Sequence, residues 1–134
     1  MDAPHAQNVG DQVHTGGSLE GCAPASNPCR AAYINYCATL PHGCTDEPAQ
    51  GKGKFRFSWD PLTTLVAVRG ASAAGNGVTE CTDCDGRNSV DAASGNNHWV
   101  PGANANQTYL VLHSGLTAGN AIDKLLCQPP KHAH

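Results

Sequence analysis

The chain has 134 residues, with 8 basic and 11 acidic side chains and a formal charge of −3. Without a cluster of Lys and Arg it lacks the footprint of a nucleic-acid or anionic-membrane binder, and no stretch approaches the ~18 apolar residues of a membrane span. The length suits one domain, yet large apolar groups are scarce: 2 Phe, 2 Trp, 3 Tyr and 1 Met, against 15 Gly and 9 Pro.

Residues 1–21 are polar and Gly-rich without periodicity, and read as an N-terminal arm or a loosely attached edge. The single domain is expected over 22–128, followed by a polar tail at 129–134. Asn27-Pro28 opens the first element, because Asn caps helix N-termini and Pro suits the first helical position. A helix over 28–40 places Cys29, Tyr33, Tyr36, Cys37 and Leu40 on one stripe. Lys54 to Trp59 alternates Phe55, Phe57 and Trp59 with Lys54, Arg56 and Ser58, the period of a half-buried strand. Asp60-Pro61 reads as a turn. Leu62 to Val68, rich in β-branched residues, reads as the returning strand, which makes a hairpin of 54–68.

Residues 70–106 hold mostly Gly, Ala, Ser, Asn and Asp, and read as a long loop of the functional or mobile kind. Residues 108–113 form a third strand. A second short helix covers 118–127, with Ile122, Leu125 and Leu126 facing inward. The expected fold is α+β: a small antiparallel sheet with two short helices, loop-rich and stabilised by disulfides.

The seven cysteines, Cys22, Cys29, Cys37, Cys44, Cys81, Cys84 and Cys127, compensate for the thin core. Each disulfide contributes about 2–4 kcal/mol, and such density belongs to secreted or periplasmic chains. Six of the seven are expected to pair, with Cys22 and Cys44 bridging near the ends of the first helix. No secretory leader is read, so a secreted protein would be represented here by its mature form. Zinc modules usually carry two Cys-x-x-Cys pairs, and only Cys81/Cys84 has that spacing.

Three chemistries compete around Cys81 and Cys84. A redox dithiol is disfavoured because Asp83 and Asp85 would raise the thiol pKa values. Asp83, Asp85, Ser89 and Asp91, with Gly86, partly match a calcium loop, although the final bidentate Glu is missing. A purely structural role, with the two cysteines in separate disulfides and Asp85-Gly86 in a turn, is the simplest reading. Among the seven histidines, His5, His14, His132 and His134 read as surface groups. His98 and His113 are the candidate metal ligands, with Cys81 and Cys84 completing a zinc set by residue type. His98, His113, Glu80 and Arg69 are the residue types of a ribonuclease-like acid–base set. No Gly-x-Ser-x-Gly nucleophile motif occurs.

Trp99 with Asn96, Asn97, His98, Asn104 and Asn106 reads as an aromatic face in a polar loop, suited to a sugar or protein surface. A Trp plugging the core beneath the loop is the competing role. Asn106-Gln107-Thr108 is an N-glycosylation sequon in a eukaryotic secretory setting. The functional expectation is a secreted, cysteine-rich, non-enzymatic binding protein of effector, toxin or adhesion type. Its expected partner is a protein or glycan surface, or further copies of itself. The alternatives are an extracellular calcium or zinc binder, a self-assembling surface subunit, and a small secreted hydrolase.

Overall fold

The computed structural model describes residues 9–40, 44–47, 52–102 and 107–129. A 3-10 turn (Val9–Gln12) leads into β1 (His14–Thr15), the single-turn α1 (Leu19–Cys22) and α2 (Pro28–Thr39). β2 (Thr45–Glu47), β3 (Lys52–Phe57) and α3 (Trp59–Arg69) follow. A further 3-10 turn (Ala71–Ala74) precedes β4 (Val78–Glu80), β5 (Gly86–Val90), β6 (Asn97–Pro101), β7 (Leu110–Leu112) and α4 (Gly115–Leu126). Among the described residues the strands pair in three small antiparallel sheets, β1-β3-β2, β4-β7 and β5-β6. The fold is mixed α+β and carries three disulfides.

Two caps are as the residue types dictate. The Asn27 side-chain oxygen accepts from the Arg30 amide at 3.0 Å, with Pro28 at the first helical position. Ser114 caps α4 by accepting from the Thr117 amide at 3.1 Å. That cap starts the helix at Gly115, ahead of the expected 118.

The expected hairpin over 54–68 is corrected. Its first half is strand β3, but residues 59–69 form α3. Pro61 lies in the first helical turn, where the amide it lacks has no intrahelical partner anyway. Leu62, Leu65 and Val66 recur at the i, i+3, i+4 spacing of a helix; Leu62 and Leu65 are buried and Val66 packs against them. Packing of that stripe overrides the β-branched composition. The partners of β3 come instead from β1 and β2. The long loop expected over 70–106 also contains structure: β4 and the β5–β6 hairpin, which pairs from Gly86↔Pro101 to Val90↔Asn97.

The core comprises Val13, Leu62, Leu65, Ala74, Val78, Ala118 and Ile122, with Leu110, Leu112, Leu125 and Leu126 packed against it. Val13 belongs to the segment read as an arm. Thr15 and Leu19 beside it are also buried, so residues 9–21 enter the domain, while residues 1–8 with His5 lie outside the described residues. Polar composition concealed this, because Val9, Val13 and Leu19 are the only large apolar groups of residues 9–21 and hydrogen bonds supplement their burial.

Those bonds follow one face of α4. Gly115, Gly119, Asp123 and Cys127 recur every four residues, so they stack along one side of the helix. A Cβ on Gly115 would collide with the Gln12 carbonyl oxygen, and one on Gly119 with that of His14. The two glycines thus let β1 and the turn before it lie directly on the helix backbone. One turn on, Asp123 is 2 % exposed; its carboxylate accepts from the Gly16 amide at 2.7 Å and the Ser18 amide at 3.3 Å, and also from the Ser18 hydroxyl. At the C-cap, Cys127 is bonded to Cys22. The Asn27 side-chain amide donates to the Leu126 carbonyl at 3.0 Å.

The disulfides are Cys22–Cys127, Cys37–Cys44 and Cys81–Cys84, with Cα separations of 5.7, 5.1 and 5.5 Å. Six of the seven cysteines pair, as expected, and Cys29 is free. Cys44 staples the C-terminal end of α2, but Cys22 reaches α4 rather than the start of α2. Cys81 and Cys84 join each other, not separate partners. Loop-closure entropy ranks the three: the bridge spanning almost the whole chain contributes roughly 4.7 kcal/mol, and the four-residue loop only about 2 kcal/mol.

Filling the Gly119 contact should destabilise the fold. Gly119→Ala is expected to lower stability by about 1–3 kcal/mol through overpacking, read as a lower urea midpoint. Gly21→Ala, with nothing within 4 Å of its added methyl, should change the midpoint little.

Candidate functional site

β3 is the middle strand of its sheet: β1 pairs with it at Arg56 and Phe57, and β2 between Lys52 and Phe55. Its aromatic residues build a ladder: His14 stacks on Phe55 at 4.0 Å between centroids, and Phe57 leans on Trp59 at 5.5 Å. α2 meets this sheet through Tyr33, bonded to Thr15, and Tyr36, against Arg56, and buries no residue completely. Its Tyr33 and Tyr36 face therefore leaves an open trough above β3. One section, of about 220 Å³, runs between Gly16, Leu19, Arg30, Tyr33, Ile34 and Lys54. The other, of about 420 Å³, runs between Tyr33, Tyr36, Arg56, Phe57, Trp59 and Asp60. Tyr33 lines both.

Arg56 lines the larger section. Its guanidinium carbon lies 5.2 Å from the Trp59 ring centroid, 5.7 Å from Tyr36 and 5.9 Å from Phe57. Such cation–π contacts contribute roughly 0.5–1 kcal/mol each at accessible sites. They hold the planar group without using its N–H donors. Among the described residues, no side-chain or backbone acceptor meets this fork, and the Asp60 carboxylate on the same wall forms no ion pair with it. Trp59 is fixed from the other side, where its indole N–H donates to Asp11 at 2.7 Å.

A chain of hydroxyls starts at Tyr33 of the trough lining. Thr15 shares hydrogen bonds with Tyr33, at 2.7 Å, and with Ser58; Thr15 and Ser58 are fully buried. This ties α2, β1 and the end of β3 to one side chain. Burial pushes the Tyr33 phenol above its ordinary value, opposed by the Thr15 bond and reinforced by Asp123 and Cys29.

Comparison with known proteins finds no family model, no curated protein and no solved structure that matches this chain.

The residues singled out from sequence are spread over several elements. Asn97, His98 and Trp99 are consecutive on β6, so His98 points to the face opposite Asn97 and Trp99. Trp99 is half-buried: its ring covers Gly86, where an added Cβ would sit 2.5 Å from it, and it meets Tyr109 edge-on at 5.4 Å. It is a local plug of the hairpin with one part left exposed. Asn96 is exposed before β6 and its carbonyl accepts from the Asp91 amide. Asn104 and Asn106, with the start of the sequon, lie outside the described residues, as do His42, His132 and His134 of the tail.

Asp83 and Asp85 precede β5 and Asp91 follows it. The five residues of β5 lie between Asp85 and Asp91, so six extended steps separate the two by roughly 20 Å, whereas a calcium loop must curl its ligands onto one ion. Ser89, between them, pairs with His98 across the hairpin. Asp91 instead closes its own turn, accepting from the Ser94 hydroxyl and amide at 2.7 Å each and from the Ala93 amide at 3.1 Å. The Ser94 bonds, the hydroxyl's first, hold its carboxyl below the usual range. His113 sits at the end of β7, bonded to the Thr79 hydroxyl at 2.8 Å, on a different sheet from His98. Glu80 ends β4, opposite Leu110, and Arg69 ends α3. With Cys81 and Cys84 bonded to each other, neither offers a thiolate. Among the described residues, no three His, Cys, Asp or Glu side chains are grouped to hold a metal ion.

The trough residues were half visible in the sequence. Phe55-Arg56-Phe57-Ser58-Trp59 was legible as an aromatic strand, and Tyr33 and Tyr36 as one helical stripe. That the stripe lies over the strand, with Arg56 between rings, requires the β1–β3 pairing that periodicity does not reveal.

The Tyr33 environment sets a pH dependence. Its folded pKa exceeds the unfolded value of about 10, so its contribution to stability is fully present below pH ~10 and is lost as the pH rises through the folded pKa. The unfolded chain gives up the proton first. Ultraviolet titration of folded protein should show a tyrosinate component that ionises above the ordinary range, and Tyr33→Phe should remove that component.

Proposed function

We propose that this chain is a small extracellular, non-enzymatic binding protein whose contact surface is the trough between α2 and β3. The observation that carries this reading is Arg56: a guanidinium held among three aromatic rings, its donors unmet among the described residues, in the lining of an open groove. Aromatic side chains and Arg are the residues enriched where binding energy concentrates, because they give rigid contact area and directional hydrogen bonds. The 420 Å³ section falls within the range of small-ligand sites. The groove offers recognition but no paired base and nucleophile, which favours binding over hydrolysis.

The extracellular part of the reading rests on the three disulfides, which persist in oxidising compartments. Among the described residues, no helix is long and apolar enough to cross a membrane, which is compatible with a secreted chain of effector or adhesion type.

Titrating isotope-labelled protein with a panel of soluble oligosaccharides and peptides, followed by backbone amide shifts, tests the surface. The expected response clusters at Tyr33, Tyr36, Arg56 and Trp59, and Tyr36→Ala should weaken it by about tenfold, equivalent to 1.4 kcal/mol. A response confined to β5–β6 around Trp99 would move the binding surface to that hairpin and overturn the assignment.

A further inference from the structure

We infer that the trough takes a linear acidic glycan, with the carboxylates of uronic-acid units meeting Arg56 and Lys54; this rests on the binding role proposed above. Three features of the site select that chemistry.

The first is charge. Although the chain as a whole is formally −3, the trough gathers Arg30, Lys54 and Arg56 against Glu20 and Asp60. Arg30 is engaged, donating to the Ala23 carbonyl at 2.7 Å. Lys54 and Arg56 have no acceptor among the described residues. They are two residues apart on β3, hence on one face and about 7 Å apart along the strand. Two cations at that spacing suit a ligand that repeats its negative charge. The planar Arg56 fork matches a carboxylate with two parallel hydrogen bonds.

The second is the ring faces. Tyr36, Phe57 and Trp59 are half-buried around Arg56, so each ring keeps accessible surface. A saccharide ring presents a flat C–H face to such surfaces while its hydroxyls and carboxylate point to the rim. The aromatic walls supply apolar contact and the cations supply direction, the combination expected of a small polar ligand site.

The third is what the sheet excludes. An extended acidic peptide binds most readily by adding a strand to a free sheet edge. β1 pairs with β3 at Arg56 and Phe57 and β2 pairs with it between Lys52 and Phe55, so a ligand lying on the face of the strand is held through side chains and gains no strand pairing. That favours a chain of ring units over a polypeptide backbone.

The test is calorimetric titration of the intact, oxidised protein with three probes of similar length: an oligogalacturonate, a neutral oligoglucoside and oligoglutamate. The oligogalacturonate should bind at least tenfold more tightly than either of the others, and its affinity should fall as salt is raised. Arg56→Gln should weaken it at least tenfold, and Arg56→Lys, which keeps charge but loses the fork, by a smaller factor. Lys54→Gln, at an exposed position, should weaken it several-fold without altering the unfolding midpoint, which separates lost binding from lost folding. Equal affinity for the neutral glycan at the trough would overturn the acidic-glycan assignment while leaving the binding role intact. Preference for oligoglutamate would replace the glycan with a peptide. Absence of oligogalacturonate binding would refute the inference outright.

Discussion

The N-terminal segment lies directly on α4, and most of the architecture depends on that contact. It combines three kinds of interaction on one helical face. Gly115 and Gly119 remove the side chains that would separate two backbones. Asp123 supplies a buried charge whose oxygens are used by amides and a hydroxyl of the apposed segment. The Cys22–Cys127 bond closes the arrangement covalently. A buried carboxylate is tolerated only when its acceptor sites are filled, and here the filling groups belong to the segment that must be held. The charge and the segment therefore stabilise each other, and neither position is favourable alone. In a chain short of large apolar groups, this link does work that bulk burial does elsewhere.

The consequences reach the trough through β1. Once Gln12 to Ser18 are fixed on α4, β1 is fixed, and its register sets β3: His14 lies opposite Phe57 and Thr15 opposite Arg56. Thr15 then joins the sheet to α2 through the Tyr33 hydroxyl and to the start of α3 through Ser58. The position of Arg56 among its rings is thus set from a helix face on the far side of the segment. A site assembled from three elements that are distant in sequence gains its rigidity from this hub. Its openness has the opposite origin: α2 contributes aromatic and apolar residues but is held mainly by caps, the Cys37–Cys44 bond and Tyr33, so it spans the groove without closing it.

Much of the local structure was legible from residue types. Asn27-Pro28 announced α2, Phe55 to Trp59 announced β3, and the cysteine count announced three bridges with one thiol left over. Two kinds of information were not. Leu62 to Val68 has strand-like composition and helix-like spacing, and only its packing against Val13, Ala118 and Ile122 decides for the helix. The pattern Gly115-Gly119-Asp123-Cys127 is visible once the helix is known, yet nothing in it names the partner segment; residues 9–21 carry few apolar side chains because they are held by backbone donors. For the same reason the eye falls on Trp99 and its asparagines, which form a self-contained hairpin, and passes over Arg56, whose chemistry arises from the rings that folding brings around it.

The mutual dependence of Asp123 and the segment it holds is read most directly by native-state amide hydrogen exchange of the oxidised protein. The Gly16 and Ser18 amides are expected to exchange only through global opening, with the same free energy as the amide of Ile122 in the core. Exchange of Gly16 and Ser18 orders of magnitude faster than Ile122, at the rate of an open loop, would show that the segment leaves α4 on its own and would contradict its place as the constraint on which the fold rests.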